Sequence, residues 1–153
     1  MRRIVSLWVL FALVLLACWL LGRRRGVGVG RLFSACALSS ALLWVCAGLL
    51  GYAGARATAS TDPTRGIGVG IALGALMGAP LGIALSERFL HKVWPRWRAL
   101  ATAALGIALT LAVFLLVLTR VGGPEQHAGR SVYVAFPLLG AAAVLGWLMG
   151  ERR

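Results

Sequence analysis

Acidic residues are scarce in this chain. Asp62, Glu87, Glu125 and Glu151 are its 4 carboxylates, against 16 Lys+Arg, and charged residues make up 13% of the whole. A soluble domain of this size carries about a quarter charged residues, so too little charge is present to cover a water-soluble globule. Histidine is limited to His91 and His127, both outside the apolar runs. A haem held between helices would need a His within a run. Cysteine is limited to Cys18, Cys36 and Cys46, with no CxxC pair and no Cys/His spacing that suits a metal. Cys36 and Cys46 lie too far apart on one helix to be bridged, so all three read as small packing residues. The motifs GxSxG and HExxH are missing, and no glycine run completes GxGxxG or GxxxxGK. The chain is therefore expected to be non-catalytic, with no cofactor and no metal.

Long uncharged apolar stretches take the place of those features. Hydrophobic residues make up 60% of the chain and mean hydropathy is +0.88. Five runs, residues 4–21, 32–55, 66–85, 99–118 and 132–149, contain no Asp, Glu, Lys, Arg or His. Each is close to the roughly 20 residues that a helix needs to cross a bilayer. Lipid offers backbone groups no water to bond, and the alternating ten-residue segments of a membrane barrel are missing, so the runs predict helices. The expected fold is an all-α integral membrane protein, one compact domain of five transmembrane helices. Punctuation agrees. Residues 22–30 are rich in Gly and Arg, residues 57–65 in Ser, Thr and Pro, and Gly122-Gly123-Pro124 follows the fourth run. Asp62 before Pro63 reads as an N-cap and first helical residue.

Positive charge sets the threading. Arg23, Arg24, Arg25, Arg31, Arg88, Lys92, Arg96, Arg98, Arg152 and Arg153 fall on one side of a five-span chain. Arg2, Arg3, Arg56, Arg65, Arg120 and Arg130 fall on the other. The richer side predicts a cytoplasmic C-terminus and an outside N-terminus, with Glu87 and Glu151 inside and Asp62 and Glu125 outside. A second reading of the N-terminus is a lipoprotein signal ending at Leu15-Leu16-Ala17-Cys18. It would invert the charge count and export Arg23–Arg25. The net charge of +12 lies between membrane runs, so no nucleic-acid partner is expected. Arginine dominates over the single Lys92, alongside abundant Ala and Gly, which suggests a GC-rich bacterial genome and a cytoplasmic (inner) membrane location.

The sharpest pattern lies in the third run, where Gly66, Gly70, Gly74, Gly78 and Gly82 recur at every fourth residue. Successive members drift by about 40° around a helix and together span about 24 Å, making one slowly winding groove. Such a stripe lets another backbone approach closely. It predicts either the packing hub of the bundle or an oligomer face, with a pore lining as the functional alternative. Pro80 lies within the stripe as a kink or hinge, and Pro137 reads the same way. Thr102, Gly106 and Thr110, and again Gly146 and Gly150, repeat the spacing on a smaller scale. RGVGVG at Arg25–Gly30 recurs as RGIGVG at Arg65–Gly70, which suggests an internal repeat.

In the third loop Phe89, Leu90, Val93, Trp94 and Trp97 fall on one arc if the segment is helical, opposite Arg88, Lys92 and Arg96, with Pro95 limiting any helix to short pieces. That is an interfacial pattern, with Arg88, Lys92, Trp94, Arg96 and Trp97 as contacts to anionic lipid at the cytoplasmic face. Glu87, at the end of the third run and next to Arg88, reads as half of a surface or interfacial ion pair, and His91 as a solvated loop side chain. Taken together, the sequence predicts a structural or accessory subunit packed against a membrane-protein partner. The alternative is a small homo-oligomeric channel or uncoupled transporter.

Overall fold

In the computed structural model, residues 2–60, 62–121 and 128–151 are described, with side chains at 9, 11–60, 62–113 and 137–151. These residues form helices and connections, without strands. The helices are α1 Arg2–Arg24, α2 Val29–Ala57, α3 Pro63–Leu85, α4 Trp97–Val121 and α5 Ala128–Gly150, with a π-helical turn, Ser86–Leu90, directly after α3. Each expected apolar run lies within one helix. Two helical stretches are long and apolar enough over their described residues to cross a membrane. They are Val29–Ala57 and Pro63–Leu90, both with hydropathy 1.9. Shorter apolar stretches cover Trp97–Val113 and Pro137–Gly150.

Local chemistry explains the ends. The Asp62 carboxylate accepts from the Thr64 and Arg65 amides at 3.1 and 3.2 Å, with Pro63 opening α3. Those bonds satisfy two of the amides that a helix start leaves free. At the end of α1, Val27 N donates to Gly22 O at 2.9 Å and Gly26 N to Arg23 O at 3.2 Å. Gly26 has φ 68°, the left-handed conformation that a Schellman stop requires. The two glycine hexapeptides are therefore not structural copies. The first holds this turn and opens α2, whereas the second lies wholly inside α3. Pro80 and Pro137 both lie inside continuous helices. Gly122-Gly123-Pro124, Glu125 and His127 lie outside the described residues.

Helices α2 and α3 form an antiparallel pair. All five stripe glycines are buried. A Cβ at Gly74 would stand 2.5 Å from Ala47 Cα, and one at Gly78 would stand 2.5 Å from Leu42 O. At Gly66, Gly70 and Gly82 it would strike the Gly54, Leu50 and Leu38 carbonyls. The stripe thus faces α2 backbone along its whole length. Helices α4 and α5 meet through the smaller repeats, with Gly106 against Ala142 and Gly146 against Thr102 and Ala103. Helix α5 also packs on α1 and α2. Ser40 lies against Gly140, while Ser39 is buried and donates to Cys36 O at 3.1 Å.

Small residues fill much of the interior. Ala35, Ala47, Ala75, Ala79, Ala99, Ala103 and Ala143 are buried with the stripe, beside the larger Leu43, Ile83, Ile107, Trp147 and Leu148, while Leu13, Phe33, Leu49, Met77 and Leu109 stand exposed. The three cysteines are free; Cys18 is buried and donates to Ala141 O at 3.4 Å.

Candidate functional site at the charged end of the bundle

The α1–α2 turn, the π turn after α3 and the C-terminus of α5 meet at one end of the bundle, where the charge of the chain gathers. Arg31, in the first turn of α2, is the centre. Its Nε donates to Glu87 Oε1 at 2.8 Å and its Nη2 to Glu87 Oε2, a fork-to-fork pair. The same Nη2 donates to Glu151 Oε1 at 2.9 Å. The guanidinium also lies 5.3 Å from the ring centroid of Trp147, which is 1% exposed. Arg25 closes the arrangement from the α1–α2 turn. Its Nη1 donates to Glu151 O at 2.6 Å and to Leu148 O, two carbonyls at the end of α5 that the helix itself leaves free. One Arg thus ties α5 to the first turn, and the other ties α2 to both carboxylates.

Glu87 is 1% exposed, so its ion pair is a buried one with Arg31 and does not lie at the surface beside Arg88. The π turn explains the change. Its i→i+5 bond, His91 N to Ser86 O at 3.3 Å, widens the helix by one residue and directs Glu87 inward to Arg31, while Arg88 remains exposed. A buried carboxylate demands a charged or multiply bonded partner, and Arg31 supplies both requirements. His91 is also not simply solvated. Its Nε2 lies 2.9 Å from Ser34 Oγ, which accepts from Ser86 Oγ at 3.0 Å. Ser34 Oγ itself donates to Arg31 O at 3.1 Å. The serine–histidine chain therefore runs alongside the ion pairs and ends on the same helix turn.

Sequence spacing held one clue to this site. Ser86 continues the four-residue series of the stripe by one step, and it meets the Ser34 side chain where the glycines meet α2 backbone. The partners of Glu87 carried no such signal, because Arg31 lies 56 residues away.

The residues expected at the lipid interface are exposed, but not on one helical arc. Lys92 has φ 54°, Pro95 follows, and the chain between the π turn and Trp97 is not helical. The Arg88 guanidinium consequently lies 4.3 Å from the Trp94 ring centroid instead of opposite it. Arg98 stands over Trp97 at 5.6 Å. Trp94 and Trp97 remain largely exposed, with Arg96 at the surface between them.

Two concavities adjoin the cluster. A small one of about 140 Å³ lies among Glu87, Trp94, Pro95, Arg96, Trp147 and Glu151. A larger one of about 580 Å³ is lined by Arg23, Arg24, Arg25, Gly26, Val27, Arg31 and Glu151. Among the described residues no group of three His, Cys, Asp or Glu side chains is placed to hold a metal ion. The chain matches no protein-family model, no curated protein and no solved structure.

Proposed function

We propose that this chain is a non-catalytic, multi-pass protein of the bacterial cytoplasmic membrane. It crosses the bilayer five times, with the charged end of the bundle in the cytoplasm, and serves as a structural or accessory subunit of a larger membrane complex. The observation that carries the membrane reading is the apolar exterior, with large Leu, Phe, Val and Met side chains exposed along the helices while Ala and Gly take much of the interior. In water, exposing so many large apolar side chains over many helical turns would forfeit much of the main driving force of folding. In lipid the large apolar chains lose nothing by facing outward, and close backbone packing of small residues holds helices together. The charged end suits the same reading, because its buried carboxylate and its serine–histidine chain have partners within the bundle. Arg31 is forked to Glu87, and His91 is bonded to Ser34.

The packing of the stripe favours the subunit reading over the channel reading. A homo-oligomeric pore built on α3 would require the glycines to face a symmetry axis, whereas all five face α2 of the same chain. Native mass spectrometry of the protein extracted in mild detergent separates the two. Unrelated subunits at fixed stoichiometry support an accessory role; a closed homo-oligomer without partners reverses the ranking and makes flux assays in liposomes the next step.

A further inference from the structure

The cleft at the α1–α2 turn is built mainly from cations. Of the groups that line it, Arg31 has its charge met by Glu87 and Glu151. Arg25 is held by two neutral carbonyls, which orient it without cancelling its charge. Arg23 lies 5.6 Å from the Trp19 ring centroid. Arg24 is exposed, and among the described residues neither Arg23 nor Arg24 forms an ion pair. Three guanidinium groups therefore line one concavity without an ion pair among the described residues; its one carboxylate, Glu151, is paired through Oε1 with Arg31 and leaves Oε2 unbonded. Its volume of about 580 Å³ lies within the range of small-ligand sites, roughly 300–1,000 Å³. The Schellman stop at Gly26 follows Arg25, whose bonds to the end of α5 set one wall of the cleft, while Arg23 and Arg24 line it from the last turn of α1.

We propose that this cleft binds the phosphate of an anionic phospholipid headgroup. The inference rests on the membrane reading above, which places the cleft at the headgroup level of the cytoplasmic leaflet. Arginine forks match phosphate oxygens two at a time, and basic pockets between membrane helices on the cytoplasmic side suit anionic headgroups. Trp19, exposed on α1 below Arg23, adds an amphipathic ring near the interface, where such side chains are favoured. The third loop lines the smaller concavity instead, through Trp94, Pro95 and Arg96.

The test is a lipid titration by native mass spectrometry, with the full chain in nanodiscs of phosphatidylcholine carrying increasing phosphatidylglycerol. Arg23→Gln/Arg24→Gln removes two charges without touching the bonds that Arg25 and Arg31 make to α5 and Glu87. Arg56→Gln/Arg65→Gln removes the same charge from the opposite end. The expected result is one phosphatidylglycerol retained selectively by the wild type and by the Arg56/Arg65 variant. In the Arg23/Arg24 variant its apparent affinity should fall at least tenfold. Equal affinity in all three proteins, or an equal loss in both variants, overturns the site. Inorganic phosphate that displaces the lipid at equal concentration overturns its assignment to a lipid headgroup. Failure of the membrane reading looks different: the protein would leave the membrane fraction without detergent, before any titration begins.

Discussion

At the scale of single residues, Glu87 has the largest energetic leverage. Removing one partner of a buried ion pair leaves the other uncompensated, at a cost of about 3–5 kcal/mol. Arg31 is 23% exposed on its side chain and also keeps Glu151, which places the expected loss at the low end. Glu87→Ala should therefore destabilise the bundle by about 3 kcal/mol in SDS-induced unfolding. Arg31→Met combined with Glu87→Leu should recover part of that loss, because both charges of the buried pair are then removed together and only Glu151 loses a partner. Additive losses in the double variant would show that the two residues are not coupled. Asp62 acts at the other end and more weakly. Its carboxyl is held below the usual carboxylate range by the Thr64 hydroxyl, then by the amides of Arg65 and Thr64. A carboxyl whose folded pKa is depressed contributes stability that is fully present above its unfolded pKa and is lost as pH falls through the folded value. Hydrogen exchange at the Thr64 and Arg65 amides should accordingly rise, beyond the intrinsic pH trend, only on the acid side of the ordinary Asp range. Asp62→Ala should show the faster exchange already at neutral pH, while Asp62→Asn should stay close to wild type, since Asn caps as well as Asp.

At the scale of elements, the α2–α3 pair is set by the absence of side chains along one groove. Gly74→Leu and Gly78→Leu insert bulk where even a Cβ has no room against Ala47 or Leu42. Accumulation in the membrane should fall sharply and the helices should separate, as read by loss of a disulfide cross-link engineered between α2 and α3. Gly68→Leu is the matched control. A Cβ there meets nothing within 4 Å, so the same substitution should leave accumulation unchanged. Identical behaviour of Gly68→Leu and Gly74→Leu would mean that the stripe does not hold the pair. The boundary chemistry and the apolar runs were legible in the sequence, because capping, turn stops and four-residue spacing are local properties. The face that the stripe covers was not legible, since a groove of glycines accepts any closely fitting backbone. The third loop misled for a similar reason. A helical arc can be drawn through residues 89–97, but Lys92 at positive φ and Pro95 break it. The π turn, by adding one residue to the helical period, then sends Glu87 inward where the neighbouring Arg88 suggested a surface pair.

At the scale of the whole molecule, two connections and the end of α5, all distant in sequence, close on one charged end. Arg25 comes from the first, Glu87 and His91 from the third, and Glu151 from the end of α5. Positive charge had assigned all three to one side, but only their bonds reveal that they form a single cluster. The central claim is that this end lies in the cytoplasm and that α2 and α3 cross the membrane between it and the opposite end. Single-cysteine labelling in intact cells tests it most directly, in a background with Cys18, Cys36 and Cys46 replaced. A membrane-impermeant maleimide should label a cysteine placed at Ala59 from outside. Cysteines at Arg24 and Val93 should be labelled only after the inner membrane is permeabilised. Labelling of positions 24, 59 and 93 from the same side would contradict the threading and, with it, the account of the bundle as a membrane-spanning structure.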